Sequence, residues 1–585
     1  MPVMGLKDAY FKYVWHHNAW DEIARAAERR RIEVVCGRRD SAAFQAVVGD
    51  AEAPFSLTVG GDPYFYKGGR RKIARLEVAP ESPGLRCEVA LIGFADDDEG
   101  RKTADPILEA QAVDVEQRRL QSVWIEFHAD ASTPPGVYRG TVRLYVRELF
   151  EDETLASECD YEVRVVARTL PEPRDYRFDL NLWQHQSNLA RKYGVPYWSE
   201  AHFALIEAYM EPLSRLGQKT VTTIVSEAPW SGQNSHRDRE PSDLFEYNMV
   251  RVVRRADGAF HYDYSALDRI VELADARGMA RYIDVFGLLS IWQDPAAGYG
   301  SVAEGDPDGL RVRYYDEGAR VYRFMRELSQ LDDYIRALER HFASRGWTDR
   351  VRIVADEPDD VERFERRMAR LRRLAPSLKL SVCINHLTFL EHRFEGITDY
   401  VPYLGCAAEK YDRLQEIRAE TPGRFQFYVC CQPRRPNSFL VSEPLESRAL
   451  PWLVDRLGLD GLLRWSVYAW PDRPNEKVSY RPSEWMAGDT LLVYPGASGR
   501  PMPSLRLKWL ERGIRDYEWM RLLRDEGYGD EVDAAMREVF AFEHPRELAP
   551  LLAGGPARPP CALRTEAYDR LFDIGLGAAE EEAAR

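Results

Sequence analysis

Two patterns of hydrophobic and polar positions divide the chain near residue 172. Before that point, short apolar and β-branched runs are separated by clusters of Gly, Pro and Asp, as in strands joined by turns. Regularly spaced short strands are typical of two packed sheets. The pattern predicts an N-terminal β-sandwich over residues 1–172, with strands at Arg31–Cys36, Ala43–Val48, Phe55–Val59, Leu85–Ile92, Val123–Phe127 and Gly140–Val146.

From about residue 176, apolar runs alternate with segments whose apolar residues recur at helical spacing. Most of the runs are apolar throughout, as expected for parallel strands that are covered on both faces. This alternation predicts a multidomain protein in which a (β/α)8 barrel of the TIM type occupies residues 173–503. The barrel strands are predicted at Phe178–Trp183, Thr220–Val225, Arg281–Phe286, Val351–Ala355, Leu380–Ile384, Tyr400–Leu404, Phe425–Cys430 and Gly461–Trp465.

Helices are predicted between these strands and after them. Residues 504–585 are expected to form a C-terminal helical segment packed on the barrel, beginning with an amphipathic helix over 504–526 that Gly513 interrupts. The clearest helices before it are predicted at Glu200–Leu216, Tyr264–Arg277, Leu331–Ser344, Val361–Leu374 and Glu409–Ala419.

Composition and charge narrow the class of protein. With 45% hydrophobic and 30% charged residues, the chain has the composition of a globular protein. Its formal net charge of −15 argues against nucleic acid as a partner, because phosphate binding needs a concentrated basic face. No stretch is long and apolar enough to suggest a membrane span, and the first residues do not have the pattern of an export signal. We therefore expect a cytoplasmic protein that does not bind a membrane. The sequence leaves its oligomeric state open.

Cysteine and aromatic residues carry further information. The eight cysteines have no CxxC or Cys/His spacing, so no metal is predicted, and no glycine-rich nucleotide motif follows a strand, so no cofactor is predicted. The chain contains 14 Trp and 30 Tyr. Rings with a polar group suit stacking on sugars, although many such rings simply pack in the core.

The end of the fourth barrel strand carries the strongest candidate chemistry. Asp356 and Glu357 follow Val351–Ala355 directly, and Pro358 helps to stop the strand. Adjacent carboxylates are costly to bury unless they are solvated or used, and the active site of such a barrel lies at the carboxyl ends of its strands. The alternative is that one of them is a helix N-terminal acid that the helix dipole favours.

Other strand ends carry polar and aromatic residues that suit a carbohydrate pocket. Taken singly, each Trp is more often a core or lid residue than a platform for a sugar, and each His is more often a structural residue than a catalyst. The candidates for substrate binding are Trp183, His185, Asn385, Trp465, Tyr468, Trp470 and Asp472.

The order of several motifs over roughly 175–525 resembles glycoside hydrolase family 123, the β-N-acetylgalactosaminidases, and its related domain of unknown function. The motifs begin with Trp183-Gln184-His185, Trp198-Ser199-Glu200-Ala201-His202, Gly217-Gln218-Lys219, Arg313-Tyr314-Tyr315-Asp316, Arg345-Gly346-Trp347 and Asp356-Glu357-Pro358. They continue with Trp465-x-x-Tyr468-x-Trp470, Trp485-x-x-Gly488-Asp489, Tyr494-Pro495-Gly496, Ser504-Leu505-Arg506-Leu507 and Gly513-Ile514-Arg515-Asp516-Tyr517-Glu518.

The resemblance implies a retaining exo-β-N-acetylgalactosaminidase in which the 2-acetamido group of the sugar replaces a protein nucleophile. Glu357 would be the general acid and base, and Asp356 would hold the acetamido N–H and raise the pKa of Glu357. Tyr315 joins the aromatic candidates for the sugar pocket. The segments Ser231–Glu240 and Asp294–Arg313 do not match the family pattern. Because such loops shape specificity, the expected sugar specificity rests on the resemblance alone.

Three other functions remain open at this point. One is a glycosidase of different sugar specificity on the same barrel. Another is a non-catalytic carbohydrate-binding protein, which would not need adjacent carboxylates. A metal-dependent hydrolase is less favoured, because no strand end is rich in histidine.

Overall fold

The structure is a computed structural model that describes residues 1–15, 20–60, 71–81, 83–229, 245–289, 300–306, 309–478, 485–553 and 559–583. Among these residues the N-terminal region is rich in strands, and the region after it is rich in helices. The N-terminal elements are β1 (Val3–Asp8), α1 (Trp20–Ala26), β2 (Arg31–Arg38), β3 (Asp40–Gly49), β4 (Phe55–Thr58), β5 (Lys72–Pro80), β6 (Arg86–Asp96), β7 (Lys102–Ile107), β8 (Ala112–Val115), β9 (Leu120–Ala129), β10 (Gly136–Glu148) and β11 (Thr154–Thr169).

The N-terminal strands form two sheets, with strand orders β1-β3-β9-β6-β7 and β2-β11-β10-β5-β4-β8. In β10, Val142, Leu144 and Val146 are buried and alternate with more exposed residues, because neighbouring side chains of a strand face opposite sides. Rings from both sheets meet in one core, where Phe127 of β9 lies 4.8 Å from Tyr161 of β11. Burial of one face of each sheet therefore holds this region together.

The second region contains short parallel strands, two small antiparallel sheets and one mixed sheet. The strands are β12 (Asp179–Leu182), β13 (Thr220–Ile224), β14 (Ala228–Pro229), β15 (Phe245–Glu246), β16 (Arg251–Arg254), β17 (Phe260–Asp263), β18 (Tyr282–Leu289), β19 (Arg313–Asp316), β20 (Val321–Phe324), β21 (Val351–Asp356), β22 (Lys379–Ile384), β23 (Ile397–Pro402), β24 (Gln426–Tyr428), β25 (Gly461–Arg464), β26 (Val493–Pro495) and β27 (Pro501–Pro503). The antiparallel sheets are β14-β15 and β26-β27, and the mixed sheet is β17-β16-β19-β20.

Each of the eight strands predicted for this region is present, with bounds that differ by a few residues. They form a parallel sheet of order β13-β18-β21-β22-β23 and a parallel sheet of order β12-β25-β24. Single parallel bridges link the two sheets at Leu180 with Gln218, Tyr400 with Phe425, and Tyr403 with Tyr428. Because the strands are parallel, their carboxyl ends lie on one side.

Helices pack around these strands. They are α2 (Gln186–Tyr193), α3 (Glu200–Arg215), α4 (Ser265–Ala276), α5 (Leu328–Ser344), α6 (Val361–Leu374), α7 (Leu387–Glu391), α8 (Leu404–Glu409), α9 (Tyr411–Glu420), α10 (Pro444–Arg456), α11 (Leu505–Asp525), α12 (Gly529–Val539), α13 (Leu548–Ala553) and α14 (Thr565–Ala583). The helix predicted at Glu409–Ala419 is present as α9, and the short helix α8 precedes it, with Lys410 between them. None of the helices in the described ranges is long and apolar enough to cross a membrane.

Helix α11 differs from the prediction in two respects. It continues through Gly513 without a break, and it is buried on most of its surface instead of presenting one polar face to water. A Cβ atom at position 513 would lie 2.4 Å from the carbonyl oxygen of Arg448 in α10, so glycine is the residue that fits there. The glycine therefore permits close contact between two helices.

Helix α11 also connects the two regions. Arg506 and Asp105 of β7 form an ion pair with Nη2 and Oδ2 2.9 Å apart, and both side chains are 1% exposed. Tyr494 donates a hydrogen bond to the same carboxylate at 2.6 Å. Helix α11 packs on both the N-terminal region and the region of parallel strands. The domain limits expected from the sequence, 1–172, 173–503 and 504–585, therefore remain predictions.

Candidate active site

The site is built around the carboxyl end of β21, where Asp356 is the last strand residue and Glu357 leaves the sheet. Asp356 pairs with Cys383 of β22, and the backbone N–H of Glu357 donates to the carbonyl of Cys383 at 3.1 Å. Glu357 has φ of +48°, in the left-handed region that non-glycine residues rarely adopt. Neighbouring side chains face opposite sides only in extended backbone. The turn at Glu357 therefore allows its side chain to lie on the same side as that of Asp356.

The helix that follows has another residue at its N-terminus. Helix α6 begins at Val361, and its N-cap is Asp360, whose carboxylate accepts a hydrogen bond from the backbone N–H of Arg363 at 2.7 Å. Asp360 thus fills the position that the alternative interpretation assigned to Asp356 or Glu357.

Glu357 is held by a tyrosine from a distant part of the chain. The hydroxyl of Tyr428, at the end of β24, donates a hydrogen bond to Oε1 of Glu357. Burial raises the pKa of Tyr428 well above its ordinary value, so its hydroxyl keeps the proton that it donates. This contact joins the ends of β21 and β24.

Burial also raises the pKa of Glu357, while the hydrogen bond from Tyr428 and the charge of His386 lower it. The sequence predicted the same direction from the charge of Asp356, but removal of the carboxyl from water is the largest cause. A carboxyl with a raised pKa retains its proton at higher pH, as a general acid requires.

The end of β22 supplies an amide beside the carboxyl groups. Asn385 follows the strand directly, and its Oδ1 atom is buried without a hydrogen-bond partner. His386 is exposed and stands at the N-terminus of α7. A buried acceptor without a partner costs free energy unless a ligand supplies a donor, so Asn385 fits a sugar hydroxyl or an acetamido N–H.

Trp465 and His185 meet at the ends of β25 and β12. The ring centroids are 6.0 Å apart, and His185 Nε2 lies 3.2 Å from the carbonyl oxygen of Trp465. The other ring nitrogen of His185 lies 3.6 Å from Oε1 of Glu246, and both of these side chains are buried. His185 is therefore positioned by protein oxygens, whereas Trp465 is only partly buried.

Three of the predicted aromatic residues lie in the core instead of at an open surface. Trp183, Tyr468 and Trp470 are each 2% exposed. Trp183 packs edge-on against Phe286, and the indole N–H of Trp470 donates to the carbonyl of Val493 at 2.6 Å. Their rings are covered by neighbouring side chains, so these residues support the strand ends as part of the core.

Tyr315 and Asp472 lie in elements other than the ends of the parallel strands. Tyr315 lies in β19 of the small mixed sheet, with its ring 5.2 Å from that of Tyr322. Asp472 is exposed, and its backbone carbonyl accepts a hydrogen bond from Lys192 at 2.9 Å. The sequence marks residues 231–240 and 294–313 as loops that shape specificity. Residues 231–240, 294–299, 307 and 308 lie outside the described residues.

A cavity of about 360 Å³ lies elsewhere, between the N-terminal sheets and the C-terminal helices. Its charged lining includes Glu126, Lys508 and Arg515, which pair with one another or with neighbouring acids. Glu126 also belongs, with Glu88 and His128, to a group that has metal-ligating geometry among the described residues. The ammonium of Lys508, 2.8 Å from Glu126, already neutralises that carboxylate, so we do not assign a ligand to this region.

The family is decided by a match over more than half of the chain. Residues 183–523 match the model of the glycoside hydrolase 123 catalytic domain. The chain belongs to glycoside hydrolase family 123. The matched range contains Asp356, Glu357 and every other predicted site residue.

The fold resembles that of a solved family member. A family 123 glycoside hydrolase from Clostridium perfringens, described in work on glycolipid glycan hydrolysis, superposes with a TM-score of 0.74 at 17% identity, covering 99% of this chain and 98% of that one. A xylanase from Cellvibrio japonicus covers 83% of this chain and 94% of its own at 11% identity, but its TM-score of 0.33 is too low to indicate a shared fold. No curated protein matches the sequence.

The structure adds functional candidates to this family 123 site that the sequence did not single out. Tyr428 lies within the predicted strand Phe425–Cys430, and only its contact with Glu357 reveals it. Glu227 follows β13, is 5% exposed on its side chain and lies 3.1 Å from Arg313. Burial raises the pKa of Glu227 to about 7, and its Oε2 atom is buried without a partner. A carboxylate two residues after the predicted strand Thr220–Val225 was the signal that could have identified Glu227.

Proposed function

We propose that this family 123 protein is a retaining exo-β-N-acetylgalactosaminidase that uses substrate-assisted catalysis. The observation that carries the proposal is the Asp356–Glu357 pair at the end of β21, with Glu357 half-buried and held by Tyr428. A partly buried carboxyl with a raised pKa suits an acid catalyst, and a neighbouring carboxylate suits the stabilisation of positive charge.

We further propose that the two parallel sheets form one closed (β/α)8 barrel behind a β-sandwich. The single bridges at Leu180, Tyr400 and Tyr403 support closure, because they connect the edges of the sheets. The placement of Asp356, Asn385, Tyr428 and Trp465 at or just after strand ends also agrees with the usual active-site position in this fold.

In the first proposed step, Glu357 protonates the glycosidic oxygen as the bond from that oxygen to C1 breaks. The carbonyl oxygen of the sugar's own 2-acetamido group forms a bond to C1, and the aglycone leaves as an alcohol. Asp356 accepts a hydrogen bond from the acetamido N–H and stabilises the positive charge that develops. An intramolecular nucleophile gains a large effective concentration, so no protein nucleophile is required.

In the second step, the Glu357 carboxylate removes a proton from water as its oxygen attacks C1. The bond between C1 and the acetamido oxygen breaks, which restores the acetamido group and the protonated acid. Two inversions at C1 return the original β configuration. Asn385 and Trp465 are our candidates for direct sugar contacts, with His185, Trp183, Tyr468 and Trp470 behind them; Tyr315 and Asp472 stay as predictions.

The proposal is tested by the hydrolysis of aryl β-glycosides of N-acetylgalactosamine, N-acetylglucosamine, galactose and glucose. We expect turnover of the 2-acetamido sugars alone, with NMR showing β product first. Glu357→Gln and Asp356→Asn should each lower kcat on the order of 100-fold or more, as is typical for loss of an acid–base or charge-stabilising group. Asp359→Asn, at an exposed acid three residues after Asp356, is the matched control and should keep full activity.

The leaving group separates the roles of the two carboxyls. Phenyl glycosides need protonation more than 4-nitrophenyl glycosides do, so Glu357→Gln should impair phenyl glycosides more strongly, whereas Asp356→Asn should impair both alike. Equal turnover of galactosides would exclude acetamido participation and favour another glycosidase specificity. Glycan binding without turnover of any substrate would favour a carbohydrate-binding protein.

A further inference from the structure

Two neighbouring cysteines lie just after the strand that carries Tyr428. All eight cysteines are free thiols, and Cys430 and Cys431 place their Sγ atoms 3.7 Å apart. Adjacent side chains of a strand point to opposite sides, but β24 ends at Tyr428. The backbone N–H of Cys430 donates to the carbonyl of Gln432 at 2.9 Å, and this turn allows both sulfurs to face each other.

The two thiols lie between two parts of the candidate active site, the carboxyl side at Glu357 and the aromatic side at Trp465. The charge of Glu357 contributes to raising the pKa of Cys430, after the larger effects of the hydrogen bond with Cys431 and of burial. Cys431 packs with Trp465 against the small apolar cluster of Ala469 and Trp485. The dithiol therefore contacts the aromatic side and lies near the carboxyl side.

We infer that Cys430 and Cys431 form a modification site, at which a small-molecule disulfide such as oxidised glutathione converts the two thiols into a vicinal disulfide. The sulfurs already lie in van der Waals contact, so closing the bond needs only local rotation and a shift toward the usual S–S distance of about 2.05 Å. Their proximity distinguishes this pair from an isolated cysteine, which can only form a mixed disulfide.

The exchange is balanced in atoms and electrons. The Cys431 thiol loses its proton to water, and its sulfur attacks one sulfur of oxidised glutathione, releasing one glutathione thiolate. Cys430 then loses its proton, attacks the Cys431 sulfur and releases the second glutathione. Two protein thiols are oxidised to one disulfide, and one glutathione disulfide is reduced to two thiols.

The modification should slow the proposed hydrolysis by displacing residues of the active site, and this part of the inference rests on the proposed function. Closing the bond moves the segment that carries Tyr428 and withdraws Cys431 from Trp465. Misplacement of a catalytic group by about 1 Å can reduce the rate by up to about 100-fold, so we expect a loss on the order of 10- to 100-fold in kcat. Adjacent Cα atoms lie about 3.8 Å apart, closer than in an ordinary disulfide, so dithiothreitol should restore activity readily.

Peptide mass spectrometry tests the chemistry without any assay of activity. The folded full-length protein is treated with oxidised glutathione, its remaining thiols are blocked, and it is digested with trypsin. The peptide Phe425–Arg434 contains Cys430 and Cys431 and no other cysteine. We expect it to be lighter by two hydrogen atoms and to carry no blocking group; a peptide with two blocked thiols or two attached glutathiones would overturn the inference.

Variants separate the modification from the proposed function. Cys431→Ser, with Cys430→Ser as the second choice if the first does not fold, should keep its kcat during oxidation. Cys87→Ser, at a half-buried cysteine of β6, should remain as sensitive as the wild type. A disulfide that forms without changing kcat would overturn the effect on catalysis. In a protein with no glycosidase activity, the mass of the peptide would still decide whether the site exists.

Discussion

At the scale of single residues, the two adjacent carboxyls acquire different roles from their backbone and surroundings. Asp356 is the last residue of β21, whereas Glu357 is in the left-handed region. Such backbone is costly for a non-glycine residue and recurs at functional sites. The hydrogen bond from Tyr428 then eases the loss of the proton from Glu357, against the larger opposing effect of burial.

Tyr428→Phe should raise the pKa of Glu357 further, because the lost hydrogen bond stabilises the carboxylate. A hydrogen bond to a charged group contributes about 1.5–3 kcal/mol, so its loss should raise the pKa of Glu357 measurably. The acid would stay protonated to higher pH, and the alkaline limb of the kcat/KM profile should move upward. Tyr400→Phe, on the neighbouring strand β23, is the control. An unmoved limb, or one moved to lower pH, would contradict the assignment of Glu357 as the acid.

At the scale of elements, packing against a neighbour outweighs the preferences of an isolated helix. Alanine is favoured over glycine inside a helix by about 1 kcal/mol. In α11 this preference cannot be realised at Gly513, where the backbone of α10 lies in the path of a methyl group. In α14 the methyl group of an alanine at position 575 would meet Trp519 at 3.6 Å, an ordinary contact.

Gly513→Ala should therefore destabilise the protein, and Gly575→Ala should leave its stability unchanged or increase it. We expect a loss of about 1–3 kcal/mol for Gly513→Ala, as is typical of overpacking, and a gain of up to about 1 kcal/mol for Gly575→Ala. Denaturant unfolding followed by circular dichroism measures both. Equal effects of the two changes would mean that the contact between α10 and α11 can relax.

At the scale of the whole molecule, buried ion pairs tie the strand-rich region to the helix-rich region. Arg506 contacts Asp105 and also donates to the carbonyls of Ser438 and Gly488, each at 2.8 Å. Removing one partner of a buried pair leaves an uncompensated charge, which costs more than the intact pair contributes.

Asp105→Asn should lower the free energy of unfolding by about 3–5 kcal/mol, because Arg506 would remain charged and buried. The double change Asp105→Asn with Arg506→Met should recover part of this loss, since it removes the unpaired charge. Glu77→Gln, at the more exposed pair with Arg75, is the control and should cost less than about 1 kcal/mol. Additive effects of the two changes in a double-mutant cycle would show that the pair does not couple the regions.

The sequence alone predicted much of the fold and the centre of the candidate site. The eight strands of the two parallel sheets were predicted from their apolar runs, and α6 was predicted with its observed bounds, Val361–Leu374. These features depend on which residues along one element meet water, so periodicity reveals them. The Asp356–Glu357 pair was evident for a similar reason, because two acids ended an apolar strand.

Only the tertiary structure decided which side chains meet. It placed Tyr428 on Glu357 from 71 positions along the chain, covered Trp183, Tyr468 and Trp470, and brought α10 against Gly513. These contacts depend on how separate elements pack, and packing is not written in the spacing of residues within one element. The sequence by itself determined the elements and the paired carboxyls; the packing of those elements decided the partners of each carboxyl and which rings remain open to a ligand.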